Sequence, residues 1–470
     1  MFQTICDLIP ADPDLPLRAY RLDILRRVHD GTLYDALPYE FHEERTAAGD
    51  YIPLRLRRPS IRYALVRVIT EDSVALLFSE GHFPTIDSPD PVVRVTLARI
   101  AKAIRLNEVM IDAALRGSVG SIAILLRILS GRPFVSVMDT VNLTARWCPD
   151  APDTLATVTE RYKITAPALR AAGYTEADLG PEPDGTFWFT RQWDAQAETW
   201  FLPQRTDDPA EPTPDPERTV RHGLGFVPVV WVRNLPGASW TLDPADGACT
   251  FRAAIETGIE IDYQLSQAGR GLKYSSDPTL LIKEPAGIEG DLIRGAGNAL
   301  IVSEHGDARL LEIGGTAAAA VIEYVRTLRE FALESVHGNR ADASRLSAAT
   351  SGRALELMNQ ELIWLADNLR ISYGEGALLT LARMLLQANA RYQLRIGKQD
   401  LPKLDPDAEL SLIWPRWYPQ TAAERQQDAQ TIAMLVAADL LNKPAATKSL
   451  AGMFPLDETP DQTSTVPVSP

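Results

Sequence analysis

The sequence predicts an α+β protein in which long helices alternate with separate β-rich stretches. Three observations carry that expectation. Apolar residues recur at helical spacing near the N-terminus; β-branched and aromatic runs broken by Pro, Gly and Asp fill the stretch from Phe134 to Val232; and beyond Thr250 the order is helix, small β unit, helix. The 470 residues correspond to about three domains of ~150 residues, and 45% hydrophobic content is ample for buried cores. A wholly disordered chain is excluded.

Taking the elements in order, Leu17, Tyr20, Leu22, Leu25 and Val28 form a helical stripe that Asp30-Gly31 ends. Ser88-Pro89-Asp90-Pro91 offers a cap and a proline start for a second amphipathic helix, Val92 to Leu106. After Asn107 a further helical stretch is expected to run to Leu129, interrupted at Gly117 and Gly120, where the backbone must bend or approach another element closely. Strands are expected at Phe134–Met138, Thr154–Thr165, Thr186–Trp193, Glu198–Leu202 and Val229–Val232, with the acidic, proline-rich segment Asp207–Glu217 as an exposed loop.

The third portion opens with a helix through Phe251, Ile255, Ile259, Leu265, Ala268 and Leu272. Short strands follow at Thr279–Ile282, Ala299–Val302 and Leu310–Ile313, joined by glycine-rich turns. A second long helix, Ala317 to His337, places Val321, Val325, Leu328, Ala332 and Val336 on one stripe, with Tyr324 and Phe331 off it. Both long helices carry more apolar surface than one partner within the chain needs. Gly338 to Gly352 is polar and small-residue rich, with Arg340 and Arg345 inside it. Arg353 to Tyr392 is helical by pattern, with Leu357, Met358, Leu362, Leu365 and Leu369 on one side. Gly374-Glu375-Gly376 sits in its middle, and glycine costs ~1 kcal/mol against alanine in a helix, which predicts a kink or break. Leu410–Trp414 reads as a strand, Thr421 and Glu424 as a capping box opening a helix through Asp439, and the residues from Leu456 onward as a disordered tail.

Charge and chemistry narrow the function. Lys plus Arg number 47 against 62 Asp plus Glu, a formal charge of −15, so the average field repels phosphates and only a local basic element suits DNA. Cys6, Cys148 and Cys249 lie far apart with no C-x-x-C pair, which fits a reducing compartment. The first residues carry no basic region ahead of an apolar core, and the most apolar run, Ile122–Leu129, is too short to cross a membrane, so neither a secretory signal nor a membrane partner is expected. Gly397-Lys398 lacks the rest of a phosphate-binding loop, and Gly295-Ala296-Gly297 lacks the third glycine of a dinucleotide fingerprint. No G-x-S-x-G elbow occurs around Gly117 and Gly120. His29, His42, His82, His222, His305 and His337 are scattered, with no pair four residues apart to hold zinc from one helix. Glu43-Glu44 and Glu71-Asp72 read as solvated turns rather than an acid/base pair, and Asp243 and Asp246 before Gly247 have the wrong spacing for a calcium loop. Trp188, Trp193, Trp200, Trp414 and Trp417 read as core or subunit-interface residues rather than base-stacking platforms. No catalytic residue, cofactor or metal site is expected.

Three phrases carry a resemblance. His222-Gly223-Leu224-Gly225-Phe226-Val227-Pro228-Val229-Val230-Trp231-Val232-Arg233-Asn234 resembles the wing strand that precedes the first stem helix in tailed-bacteriophage portal (head-tail connector) proteins. Ser351-Gly352-Arg353-Ala354-Leu355-Glu356 resembles the start of that family's long kinked helix. Leu412-Ile413-Trp414-Pro415-Arg416-Trp417-Tyr418-Pro419, followed by a capped helix, is similar to its C-terminal passage. The resemblance spans about Arg18 to Phe454 and is weakest across Asp207–Glu217.

It implies a portal-type fold with a mixed α/β wing, a two-helix stem, a small β-containing clip, a long kinked helix and an α-helical crown. The corresponding segments are 1–249 (wing), 250–275 (first stem helix), 276–316 (clip), 317–338 (second stem helix), 339–352 (tunnel loop), 353–420 (long kinked wing helix and return strand), 421–455 (crown) and 456–470 (tail). The implied function is a ring, usually a dodecamer, at one capsid vertex of the virion, assembled in the host cytoplasm. Its channel passes double-stranded DNA in packaging and ejection, and it docks the terminase large subunit, the head-tail adaptor, and the major capsid and scaffolding proteins. On that reading Arg340, Arg345, Ser344 and Ser347 face DNA from the tunnel loop. Tyr324, Leu328 and Phe331 form the subunit interface, and Leu281, Ile282 and Ile301 the clip docking surface. Two other classes fit the composition: another phage head or connector protein without a DNA channel, and a hydrolase built on a buried carboxylate pair.

Overall fold

The computed structural model describes residues 1–179, 185–276, 279–285, 302–311, 316–338, 352–418, 422–443 and 446–447. The chain divides into two units, Met1–Arg340 with Trp364–Pro415, and Ala341–Ile363 with Arg416–Pro470. The boundary falls inside the expected long helix rather than at its ends.

In the first unit, helices α1 (Phe2–Cys6), α2 (Leu17–His29) and α3 (Leu65–Phe78) precede a short strand, β1 (Thr85–Asp87). Helix α3 lies where no periodicity was singled out. Helix α4 (Pro91–Ala103) starts where the proline and cap predict, with the Asp90 carboxylate accepting the Val92 N–H at 2.8 Å. Helix α5 (Leu106–Gly117) then ends at the first of the two marked glycines.

The expected helical stretch to Leu129 is corrected here, because β2 (Ser121–Leu129) is a strand. It is the centre of a three-stranded antiparallel sheet, between β3 (Arg132–Asp139) and, later in the chain, β10 (Val229–Arg233). Ser121 to Leu126 are all buried, so the run shows no alternation, and a short apolar run without a period is compatible with either element. The glycines are the informative signal. A Cβ at Gly117 would overlap the Tyr373 hydroxyl, so the close approach expected there is real, and the backbone turns from helix to strand between Gly117 and Ser121.

A six-stranded antiparallel sheet follows, built from β4 (Leu143–Cys148), β5 (Ala151–Thr165), β6 (Thr186–Trp193), β7 (Ala197–Trp200), β8 (Gln204–Arg205) and β9 (Val220–Arg221) in the order β4-β5-β6-β7-β9, with β8 also on β6. Helices α6 (Ala166–Ala171) and α7 (Glu176–Leu179) cross from β5 towards β6. Ala123, Leu125, Leu143, Val158, Trp193, Val227 and Val229 form one core between the sheets. The Asp207–Glu217 loop is exposed as expected except at Asp215, which is buried and accepts a 2.7 Å bond from Arg218.

The long helices α8 (Ile255–Ser276) and α9 (Thr316–Ser335) bracket a two-stranded antiparallel hairpin, β11 (Thr279–Pro285) and β12 (Val302–Leu311), in the register Leu281↔Arg309 and Ile282↔Ala308. Of the three short strands expected there, Thr279–Ile282 lies on β11, whereas Ala299 to Ile301 of the second and Glu312 and Ile313 of the third lie outside the described residues. Leu310 and Leu311 belong to the same strand as Val302, and the pairing register shifts between Lys283 and Pro285.

Helices α10 (Gly352–Met358) and α11 (Gln360–Leu369) are followed by a π-helical stretch, Arg370–Leu379, and by α12 (Thr380–Arg391). The glycine pair thus widens the helix instead of breaking it. Widening admits Trp414: a Cβ on Gly374 would lie 2.5 Å from its ring, which stacks on Phe78 at 6.2 Å. Strands β13 (Arg395–Ile396) and β14 (Gln399–Asp400) form a small hairpin, and β15 (Ser411–Ile413) pairs with β1. In the second unit α13 (Ala422–Ala437) is the predicted C-terminal helix. Thr421 of its capping box and the tail from Leu456 lie outside the described residues.

The contact at Gly117 yields a stability prediction. Replacing Gly117 with Ala should destabilise the first unit by about 1–3 kcal/mol through overpacking against Tyr373. Because Tyr373→Phe removes the overlapping oxygen, the double variant should lose less than the sum of the two single losses. Urea-unfolding midpoints at constant slope measure all three.

Candidate functional site

The α8/α9 pair with its hairpin is the element that the sequence singles out for assembly. Helix α8 is wrapped by its own chain on two sides. Ile255, Ile259 and Tyr263 enter a core with Phe2, Ile5, Leu22 and Leu25 of α1 and α2, whereas Ile261 enters another with Leu65 and Ile69 of α3, Ala332 and Leu333 of α9, and Val336 just beyond it. Polar groups fix the remaining contacts. The buried Asp262 carboxylate accepts the Tyr34 O–H and the Tyr63 N–H, each at 2.7 Å, and Ser266 Oγ accepts the Ile61 N–H at 2.9 Å. The expectation that both long helices carry spare apolar surface is therefore corrected for α8 through Ser266. The short N-terminal helices and the 61–64 segment use it up.

Helix α9 is different. Val325 and Leu328 pack against the shared core, so Leu328, expected at the subunit interface, serves the pair within one chain. Tyr324 and Phe331 are 47% and 61% exposed, and Ile322, which the stripe pattern missed, is 47% exposed. At ~100° per residue, Tyr324 and Phe331 lie within about 20° of one line and Ile322 roughly 160–180° around from them, with the Val325/Leu328 stripe between. Glu323, Arg326 and Glu330 occupy the fourth side, all exposed, with Arg326 3.5 Å from Glu323. The helix thus has a buried stripe, a charged face opposite, an apolar flank of Tyr324 and Phe331 on one side, and on the other Ile322 alone, beside exposed Arg329. Ile322 could have been found by asking which apolar residues sit diametrically across from Tyr324, rather than which extend the stripe.

The other expected site residues are placed unevenly. Leu281 and Ile282 lie on the hairpin strand β11, whereas Ile301 lies outside the described residues. The tunnel-loop residues Arg340, Arg345, Ser344 and Ser347 also lie outside them.

Residues weighed for other chemistry are engaged elsewhere. Glu44 pairs with Arg270 and Glu71 with Arg67, while Glu43 accepts the Glu40 N–H. Asp246, half of the rejected calcium loop, is bound to Arg18 at 2.6 Å. Trp188 and Trp193 are buried, as the packing reading expects. Among the described residues no three His, Cys, Asp or Glu side chains gather as a metal site needs, and no helix is long and apolar enough to cross a membrane.

No family model matches the chain, and no curated protein matches it.

Asp262 supplies a pH test of how α8 is held. Burial raises its pKa above the ordinary carboxylate value, with nearby Arg62 and the two bonds from Tyr63 and Tyr34 opposing. The native state then keeps a proton that the unfolded chain has released, so this group's stabilisation is complete below the unfolded value of ~3.9 and is lost as pH rises through the folded one. Asn at this position cannot titrate. The difference in unfolding free energy between Asp262→Asn and the native chain should shift in favour of the variant as pH rises from about 4 to about 7. A difference constant across that range would remove Asp262 as the titrating group.

Proposed function

We propose that this chain is a portal-type protein that assembles as a closed ring and forms the channel for double-stranded DNA at a phage capsid vertex. The observation that carries the reading is the α8–hairpin–α9 unit, in which the second helix exposes Tyr324 and Phe331 on one flank and Ile322 diametrically across from them. A ring is made by a heterologous contact repeated about an axis, so each subunit offers two different surfaces to its neighbours. A helix already docked on its own chain, with one flank of Tyr324 and Phe331 and another of Ile322, supplies both from a single element. The fold-level expectation of wing, stem, clip, kinked helix and crown belongs to the same proposal.

Electrostatics supports a passive conduit. With 62 acids against 47 Lys and Arg, most of the surface repels phosphate, so a duplex slides instead of sticking. The few contacts that DNA needs are assigned to Arg340 and Arg345, with Ser344 and Ser347 small enough to let it pass. The hairpin carrying Leu281 and Ile282, with Ile301, is assigned to docking of the terminase large subunit and later the head-tail adaptor. Capsid and scaffolding proteins would surround the ring. On this reading the chain is not an enzyme and needs no cofactor; a separate motor supplies the energy.

Electron microscopy and native mass measurement of the purified chain test the proposal. Rings with an axial channel are expected, and a protein that stays monomeric at micromolar concentration would sink it. Phe331→Asp puts a charge into the apolar contact, where an unpaired charge costs several kcal/mol, and should dissociate the rings while leaving subunit unfolding little changed. Replacing Arg340 and Arg345 together with Ala should leave rings intact and alter packaging rate or DNA retention in a salt-dependent way.

A further inference from the structure

Between the three-stranded and six-stranded sheets lies a cavity of about 750 Å³, remote in function from the helix pair and unused by the reading above. Its aromatic wall is Tyr162, Phe189 and Trp200, with Phe189 4.9 Å from the Tyr162 ring centroid and edge-on to Trp200 at 5.7 Å. The one acid lining it, Glu198, is fully engaged: Arg127 donates to both of its oxygens at 2.7 and 3.1 Å, and Arg191 donates at 3.3 Å. Two guanidiniums already offset its single negative charge, so the carboxylate offers no net attraction to a cationic ligand.

The unused polar capacity consists of donors. The Tyr174 hydroxyl is buried and has no hydrogen-bond partner among the described residues. His222 Nδ1 accepts the Leu224 N–H at 3.2 Å, which places the ring proton of the neutral tautomer on Nε2; Nε2 is buried near the Asp194 and Ala197 backbone but makes no well-aligned hydrogen bond. Burial lowers the His222 pKa, so the neutral ring persists at physiological pH. Arg221 lines the same cavity from β9, is exposed, and forms no ion pair among the described residues. Buried donors are almost always satisfied in folded proteins, and two orphans around one aromatic cavity call for an acceptor-rich occupant.

We infer that this cavity binds a carboxylate carried on a flat apolar group, the apolar body lying against Trp200 and Phe189 and the carboxylate meeting Tyr174, His222 and Arg221. One free guanidinium matches one negative charge, and a planar carboxylate accepts several donors at once. The same chemistry arises from a small arylalkyl acid or from an acidic residue beside an aromatic one in a protein segment.

Calorimetric titration of the full chain tests the inference with three probes: indole-3-acetate, its neutral amide, and the doubly blocked dipeptide Glu-Trp. The acid should bind about tenfold tighter than the amide. Arg221→Gln and Tyr174→Phe, one exposed and one lacking only an oxygen, should each weaken the acid roughly three- to tenfold without moving the melting temperature. Tighter binding of the dipeptide identifies a protein segment as the source and tighter binding of indole-3-acetate a free acid; either supports the site. Equal affinity for acid and amide, indifference to both variants, or no binding of either carboxylate up to about 10 mM would overturn it. Ring assembly is a separate readout, so failure here leaves the portal reading untouched, and the reverse holds.

Discussion

The first unit hangs on the carboxylate of Asp246. Its side chain is fully buried and takes four hydrogen bonds: Arg18 donates at 2.8 and 2.6 Å, Ser121 Oγ at 2.5 Å and Thr241 Oγ1 at 2.7 Å. Arg18 is on α2, and Ser121 opens the central strand β2. Asp246 itself lies in the loop that leads into α8. Arg18 also donates to the carbonyls of Thr140 and Leu143, so the same guanidinium reaches the start of the six-stranded sheet. A buried charge left unpaired costs about 3–5 kcal/mol, which makes the pair a constraint on four elements at once. It sets where the helix pair departs from the sheets.

A second polar anchor stands beside it. Asn234 Nδ2 donates to the carbonyls of Ser118 and Ala248 and to Thr250 Oγ1, while its Oδ1 accepts the Tyr373 hydroxyl at 3.1 Å. The end of α5, the chain leaving β10, the entry to α8 and the π-helical stretch therefore meet at one amide. The π stretch and Gly117 follow from this meeting. Tyr373 is fully buried and reaches Asn234 only because residue 117 has no Cβ and the helix is widened where Trp414 enters. Local sequence read as helix weakness is a packing solution imposed from four distant places.

That contrast explains what was legible. The α+β class, α2, α4 and strands β5, β6 and β7 of the six-stranded sheet follow from periodicity and caps, which act within a few residues. Ile122–Leu129 was not legible as a strand because burial on both faces erases the alternation that marks one. Val302 and Leu310 read as separate strands because His305-Gly306-Asp307 has the composition of a turn; the pairing with β11 shifts register between Asp307 and Val302, and both ends still belong to one strand. Asp246 was weighed as half of a calcium loop because its partner is 228 residues away. The donors of the intersheet cavity were hidden for the same reason: Tyr174 and His222 acquire meaning only once the two sheets face each other.

The helix pair shows how far sequence pattern carries a functional argument. Both long helices have apolar residues beyond a single stripe, and the pattern alone gives them equal standing as assembly surfaces. Packing separates them. The apolar excess of α8 is matched by α1, α2 and α3, and its polar side is fixed by Asp262 and Ser266, so through that point it is an internal strut. The excess on α9 stays exposed at Ile322, Tyr324 and Phe331 and falls on opposite flanks of the docked stripe. Exposed apolar residues scattered singly carry little meaning, whereas Tyr324 and Phe331 lie on one line of α9 and make a contiguous flank; Ile322 stands across from them beside the exposed Arg329. In the proposed ring, association would fall on α9 and rigidity on α8, so that neighbours could bear on one helix without loosening the core that holds the other.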